Sequence, residues 1–366
     1  MGLWAALYAE RRGIDTLLID GGSLGQGTSG GLLGALMPHT PDVWDEKKQF
    51  QFEALTALET EIAGLEAATG LSAGYRRCGR LMPLPKPHLR VIAERRIPDA
   101  ERNWNQCGRA FDWQVIDRTP VDGWPVAEVS GAGLTFETLS ARVDPRALIS
   151  VLTAALRTAR HVRIIENCTA DQIDAERGCA NLSNGETIAF GHCIVAAGIR
   201  AFPMLEALGP ALPKPIGQAV KGQAALFRTE VDPALPLIFL DGLFVVPHET
   251  GMVAVGSTSE NHFVRPEGTD HQLETLIARA RKMVPLLEGA EIVERWAGLR
   301  PKAIDRDPMV GPHPDAPRIL ALTGGFKVSF GLAHSLAEAA LTLMAGGSPS
   351  MPSSFLLESH LDVAAR

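Results

Sequence analysis

Apolar residues recur at three- and four-residue steps through 47–69, where Phe52, Leu55, Leu58, Ile62 and Leu65 share one stripe, and this spacing predicts a long amphipathic helix. A second helical pattern over 3–12 stops at Gly13, and the short β-type run 16–19 that follows ends on Asp20. Asp144-Pro145-Arg146 sets an acidic cap and a first-turn proline for a helix over 146–158, which leads into a strand over 162–167. Residues 170–173, 178–182 and 184–188 alternate and turn as a β-meander, with Asn184-Gly185 as the hairpin signal, and end in an apolar strand over 192–198. Apolar runs at 222–227, 237–240, 243–247 and 252–258 predict antiparallel sheet; 78–85, 134–136 and 292–301 also read as strands, and 89–105 and 271–283 as helices. The chain closes with a strand at 319–323, a loop at 324–331 and a helix at 332–344. The stretch marked by Trp113, Pro120, Trp124 and Pro125 has no clear periodicity.

The start of the chain carries half of a nucleotide-binding motif. In a βαβ unit the glycines of G-x-G-x-x-G end at a helix start, and an acid about twenty residues on accepts a ribose hydroxyl. Gly2 fits the third glycine and Asp20 the acid, with no residues ahead to supply the first strand and the first two glycines. The expectation is that the natural polypeptide begins well upstream of Met1, or that this form holds its nucleotide weakly. Directly after Asp20 the loop 21–39 is dense in glycine and places Thr28 and Ser29 together, a composition that lets backbone and hydroxyls approach phosphate.

Composition narrows the class. The 366 residues, 46% hydrophobic and 21% charged, allow two domains of a globular α/β protein. A net charge of −7 with no basic run speaks against nucleic acid. Cys78, Cys107, Cys168, Cys179 and Cys193 are scattered and odd in number, which argues against a zinc site or disulfide framework, so no metal is expected and a reducing cytoplasm is the simplest setting. No apolar run is long enough for an integral membrane segment, and the first helix lacks the features of a signal peptide.

Taken in order, residues 2–20, Thr28-Ser29, 194–198, 247–258, the run Trp296-Ala297-Gly298-Leu299-Arg300-Pro301 with Asp305, Pro308 and Gly311, and Gly324-Gly325-Phe326-Lys327 resemble the FAD-dependent D-amino-acid oxidase superfamily, the glycine oxidase, sarcosine oxidase and D-amino-acid dehydrogenase group. The resemblance implies an α/β fold: an FAD-binding Rossmann-like domain, its N-terminal strand missing, built from 1–76, 141–205 and 297–350. It is interleaved with an antiparallel-sheet substrate domain from 77–140 and 206–296, and 351–366 forms a tail. It implies FAD held by Gly2 and Asp20, by Thr28 and Ser29 near the pyrophosphate, and by Cys168 or Thr169 beside the adenine through backbone atoms. Ala197 and Gly198 would pack on the cofactor, Gly34, Ala35 and Leu36 would approach the isoalloxazine, and Gly325, Phe326, Lys327 and Val328 would line its pyrimidine side.

The implied chemistry is hydride removal from a carbon bearing an amine and a carboxylate, with oxygen, a quinone or another carrier as acceptor. Arg300 is the expected carboxylate anchor, since a guanidinium offers a bidentate fork; pairing with Glu294 or Asp305 to brace a loop is the alternative. His39 is carried as a further catalytic candidate, with His248 and His334 also near matched loops and packing roles the competing explanation for each. Tyr8 and Tyr75 are the sole tyrosines, so no tyrosine partner for Arg300 stands in the substrate-domain strands. An FAD-dependent 2-hydroxyacid dehydrogenase and a flavin-poor binding protein remain rival readings.

Overall fold

The computed structural model describes residues 1–106 and 108–366, so Cys107 lies outside the described residues. Helix α1 (Gly2–Arg11) buries Trp4 to Ala9, and Gly13, at φ 65°, turns the chain into strand β1 (Thr16–Ile19). The glycine loop then leads to the two-residue strand β2 (Ala35–Leu36) and to helix α2 (Glu46–Thr69). Asp45 caps α2 by accepting the Lys48 amide, and the predicted stripe of Phe52, Leu55, Leu58, Ile62 and Leu65 is buried. Strand β3 (Arg80–Pro83) precedes helices α3 (Pro87–Arg95) and α4 (Ile97–Asn103). The single helix expected over 89–105 is thus two, because Pro98 has no N–H to give and stands only in a first turn.

Strand β4 (Trp113–Ile116) arises from the stretch without clear periodicity, followed by β5 (Leu134–Glu137) and β6 (Ala141–Arg142). Helix α5 (Pro145–Arg157) is capped by Asp144, which accepts the amides of Arg146 and Ala147 at 2.9 and 3.0 Å. Then come β7 (Val162–Ile165), the meander β8 (Ala170–Asp174), β9 (Cys179–Leu182) and β10 (Thr187–Ala189), with Asn184-Gly185 in the β9–β10 turn, and β11 (Cys193–Val195). Helix α6 (Ala201–Glu206) leads to β12 (Gly217–Phe227), β13 (Leu237–Leu240), β14 (Leu243–Pro247) and β15 (Val253–Gly256). The remainder is α7 (His271–Met283), β16 (Ile292–Ala303), β17 (Met309–His313), β18 (Ala316–Thr323), α8 (Ser329–Met344) and α9 (Leu357–Ala364).

Eight strands form one large sheet in the order β16-β12-β15-β14-β13-β3-β5-β4. It is mixed, not antiparallel as expected: β3 runs parallel to β13, with Arg80 opposite Leu237, since the chain reaches β13 only after passing through the whole middle third. Strand β16 runs unbroken across 296–297, so Arg300 belongs to this sheet. One face packs on α7 through Phe227, Ile238, Val245, Leu273 and Ile277, and the other packs on the loop carrying Leu32 and Leu33.

The parallel layer is in two pieces. Among the described residues strand β1 pairs with β7 alone, and β11 pairs with β18, which also carries antiparallel β17. Helices α1, α2, α5 and α8 cover both pieces with one core, in which Trp4, Leu58, Leu152 and Leu336 are buried. The expected C-terminal tail is mostly helix: α9 buries Leu357 and Ala364 against β17 and β18. No helix among the described residues is long and apolar enough to cross a membrane.

Candidate active site

On β16 the side chains of Trp296, Gly298 and Arg300 point to one face, opposite Ala224, Gly222 and Val220 of β12. Glycine is required at two of these positions: a Cβ on Gly222 would overlap the Arg300 guanidinium, and one on Gly298 would overlap the indole of Trp296. The indole lies across Gly298 and reaches Gly31, where a Cβ would meet its Cη2 atom at 3.2 Å. Trp296 is therefore a packing residue. The loop is pinned to the same strand by Thr28, whose hydroxyl donates to the Leu299 carbonyl, and by Arg146, which donates to the Gly30 carbonyl and pairs with Glu294 at 2.6 and 2.8 Å.

Glu294 is taken by Arg146, and neither Glu294 nor Asp305 pairs with Arg300 among the described residues. Arg300 is 9% exposed, donates from Nη1 to the Thr258 carbonyl at 3.1 Å, and forms no ion pair among the described residues. Burial pulls its pKa down to about 10, with Glu260 opposing the shift. Lys327 is exposed, with its ammonium 5.5 Å from the centre of the Phe326 ring; partial desolvation and then the charge of Arg300 lower its pKa. Two cations thus face one region with no carboxylate paired to either among the described residues. Such a region suits an anion.

The loop before α8 is held in place by backbone contacts. Phe326, at φ 43°, donates its amide to the Pro301 carbonyl at 3.1 Å, Gly325 bridges to Lys302, and the Val328 amide bonds the Gly325 carbonyl at 2.9 Å. Gly34, at φ 64°, sits so close to the Val143 carbonyl that no side chain fits, and β2, with buried Leu36, pairs with β6 just beyond. Ala197 is exposed after β11, and the Gly198 carbonyl accepts the Thr323 hydroxyl at 3.0 Å.

At the other end Asp20 accepts the Gly22 amide at 2.9 Å through one carboxylate oxygen and has no cationic partner among the described residues, leaving acceptor capacity for a hydroxyl. A Cβ on Gly2 would lie 3.4 Å from that of Ala196, so glycine lets α1 approach β11 closely. Several polar groups expected near the cofactor also have partners within the protein. The Thr28 hydroxyl is already committed to Leu299, whereas exposed Ser29 keeps its own. The Cys168 and Thr169 amides donate to the Asp20 carbonyl and the Ser183 hydroxyl, at 3.0 Å each, which stitches this turn to the end of β1.

The histidines are not gathered here. His39 is exposed, its amide held by Gln51 at 2.6 Å, and the charges around it are those of Lys48, Asp45, Arg80 and Asp307 rather than Arg300. His248 is buried with Nε2 2.9 Å from the Leu32 carbonyl, and buried His334 packs on Trp4. The residues that do adjoin Arg300 and escaped sequence reasoning are Gly222, Thr258 and Glu260. The polar residues Lys221 and Gln223 of β12 flank Gly222, but they do not indicate that Thr258 and Glu260 return beside this strand.

Comparison with known proteins places this geometry. The profile described as FAD dependent oxidoreductase (DAO) matches residues 1–339. A glycine oxidase of Pseudomonas putida is 30% identical over 254 residues, covering 66% of this chain and 68% of that protein. In fold, a glycine oxidase from Geobacillus kaustophilus superposes with a TM-score of 0.84 at 20% identity, over 97% of this chain and 95% of that one. An iminodiacetate oxidase from Chelativorans gives 0.79 at 19% identity, over 96% and 94%.

Proposed function

This chain belongs to the DAO family of FAD-dependent oxidoreductases, and from that premise we propose that it oxidises a small amine bearing a carboxylate, of the glycine or N-methylglycine class, with Arg300 as the carboxylate anchor. The observation that carries the reading is the buried guanidinium of Arg300, bonded once to a backbone carbonyl, without an ion pair among the described residues and with Lys327 beside it. A charge left this way gains most from a bound anion, since a desolvated cation without a partner is costly. The chemistry that a bound FAD would supply is acceptance of a hydride from the substrate carbon, so that with loss of the nitrogen proton the amine would become an imine open to hydrolysis by water.

The residues that fit the cofactor are Gly2 and Asp20 at the ribose end, Ser29 with the glycines of its loop, and the exposed Ala197 with Gly198 beside it. Gly34, Leu36 and residues 325–328 would enclose the flavin end. In this reading Arg300 sets the orientation of the substrate, and the Trp296–Gly31 contact and the Thr28–Leu299 bond keep the loop closed against water. Replacing Arg300 by Leu should leave FAD bound and raise KM for glycine or N-methylglycine on the order of a hundredfold. An unchanged KM would rule out the anchor.

A further inference from the structure

Behind Arg300, on the opposite face of β12, lies a buried polar network that the reaction above does not use. Lys221 and Gln223, 1% and 0% exposed, alternate with Gly222 and so point away from the guanidinium. After β15 the chain returns to β12: Lys221 and Glu260 exchange backbone hydrogen bonds at 3.0 and 2.9 Å, and the Thr258 amide bonds the Gln223 carbonyl at 3.3 Å. The side chains close the network. Lys221 Nζ lies 3.0 Å from Asp270 and 3.5 Å from Glu260, and Gln223 Nε2 donates to Glu260 at 2.8 Å and to Asp270 at 2.9 Å. Gln223 Oε1 accepts the Asp270 amide at 2.8 Å, and Asp270 also caps α7.

Thr258 is where this network meets the site. Its hydroxyl accepts the Gln223 amide at 2.9 Å and donates to Glu260, while its carbonyl accepts from Arg300. With Lys221 cationic and Glu260 and Asp270 anionic, the network carries one net negative charge against the one positive charge of Arg300. Glu260 acts on that charge from a distance. A direct ion pair would occupy the fork that a substrate carboxylate needs; a single carbonyl bond leaves most of the fork open.

We propose that Thr258 is a positioning residue: its hydroxyl, clamped between Gln223 and Glu260, fixes the peptide whose carbonyl aims the Arg300 guanidinium, and the buried network supplies the rigidity. The proposal rests on Arg300 being the anchor. The Thr258 amide is bonded to the Gln223 carbonyl and its hydroxyl to the Gln223 amide and Glu260, so three hydrogen bonds hold the residue whose carbonyl faces Arg300. Valine keeps the shape and removes both hydrogen bonds, while serine keeps both.

The test titrates acetate, an unreactive carboxylate, into FAD-loaded protein and follows the perturbation of flavin absorbance. Thr258→Val should bind acetate about tenfold more weakly, and Thr258→Ser within about twofold of the unsubstituted protein, at equal flavin content. Should the valine variant fail to fold, Thr258→Ala, which adds no methyl group to accommodate, carries the same expectation. Acetate affinity unchanged in the valine or alanine variant overturns the positioning role. Arg300→Leu is the companion measurement: if it abolishes acetate binding while Thr258→Val and Thr258→Ala have no effect, the Thr258 assignment alone fails. If Arg300→Leu also has no effect, the anchor reading fails with it.

Discussion

Arg300 is available to an anion because its neighbours are absent in the right places: Gly222 has no Cβ to displace it, and Glu294 is occupied by Arg146. The sequence marks Arg300 through its run with Gly298 and Pro301, but not Thr258 or Glu260, because their positions depend on a chain return that brings residues 257–260 back beside β12. His334 shows the opposite situation. Burial, with Trp4 packed on the ring, pushes its pKa down to about 4, from an ordinary value of 6.5. Between those values the unfolded chain binds the proton and the folded one does not, so stability rises with pH through this window and falls as pH drops. From pH 7.5 to pH 5 this one group should remove roughly 2 kcal/mol of unfolding free energy. His39, His248, His313 and His360, also lowered, add in the same direction. Urea unfolding of His334→Gln at the two pH values checks it: the pH-dependent loss should shrink by about that amount, and an undiminished loss would contradict the assignment.

At the level of elements, helices with a clear apolar stripe or a cap were legible: α2 follows its stripe, and α5 begins at the acid its sequence offered, Asp144. Strand partners were not, since apolar alternation in β3 says nothing about whether its neighbour is β5 or the distant, parallel β13. What ties β3 and β5 together is also invisible to periodicity. Arg80 and Glu137, 4% and 0% exposed, pair across them at 2.9 Å, and Glu137 also accepts the amides of Leu139 and Ser140 at 2.8 and 2.9 Å. Removing the carboxylate would strand a buried guanidinium and two amides. Glu137→Ala should therefore lower unfolding stability by about 3–5 kcal/mol, read as a drop in the denaturant midpoint with the slope unchanged. A loss below about 1 kcal/mol would mean that the pair contributes little.

Over the whole molecule, one helical core spans the two parallel pieces, and the large mixed sheet presents Arg300 toward the glycine loop that those pieces support. The order of fragments along the chain was enough to read the family, because the nucleotide loop, the β11 turn, the arginine strand and the loop before α8 each come from a different stretch and converge only in the fold. Which backbone donors remain free could not be read that way: the amides of Cys168 and Thr169 are consumed by contacts between segments far apart in sequence. The most direct test of the central claim is anaerobic mixing of the FAD-loaded protein with glycine, N-methylglycine, D-amino acids, methylamine and 2-hydroxy acids while flavin absorbance is followed. The account predicts bleaching by at least one amine that carries a carboxylate and none by methylamine, which has nothing for Arg300 to hold. Bleaching by 2-hydroxy acids alone, or by no carboxylate-bearing amine in a fully flavinated protein, would contradict it.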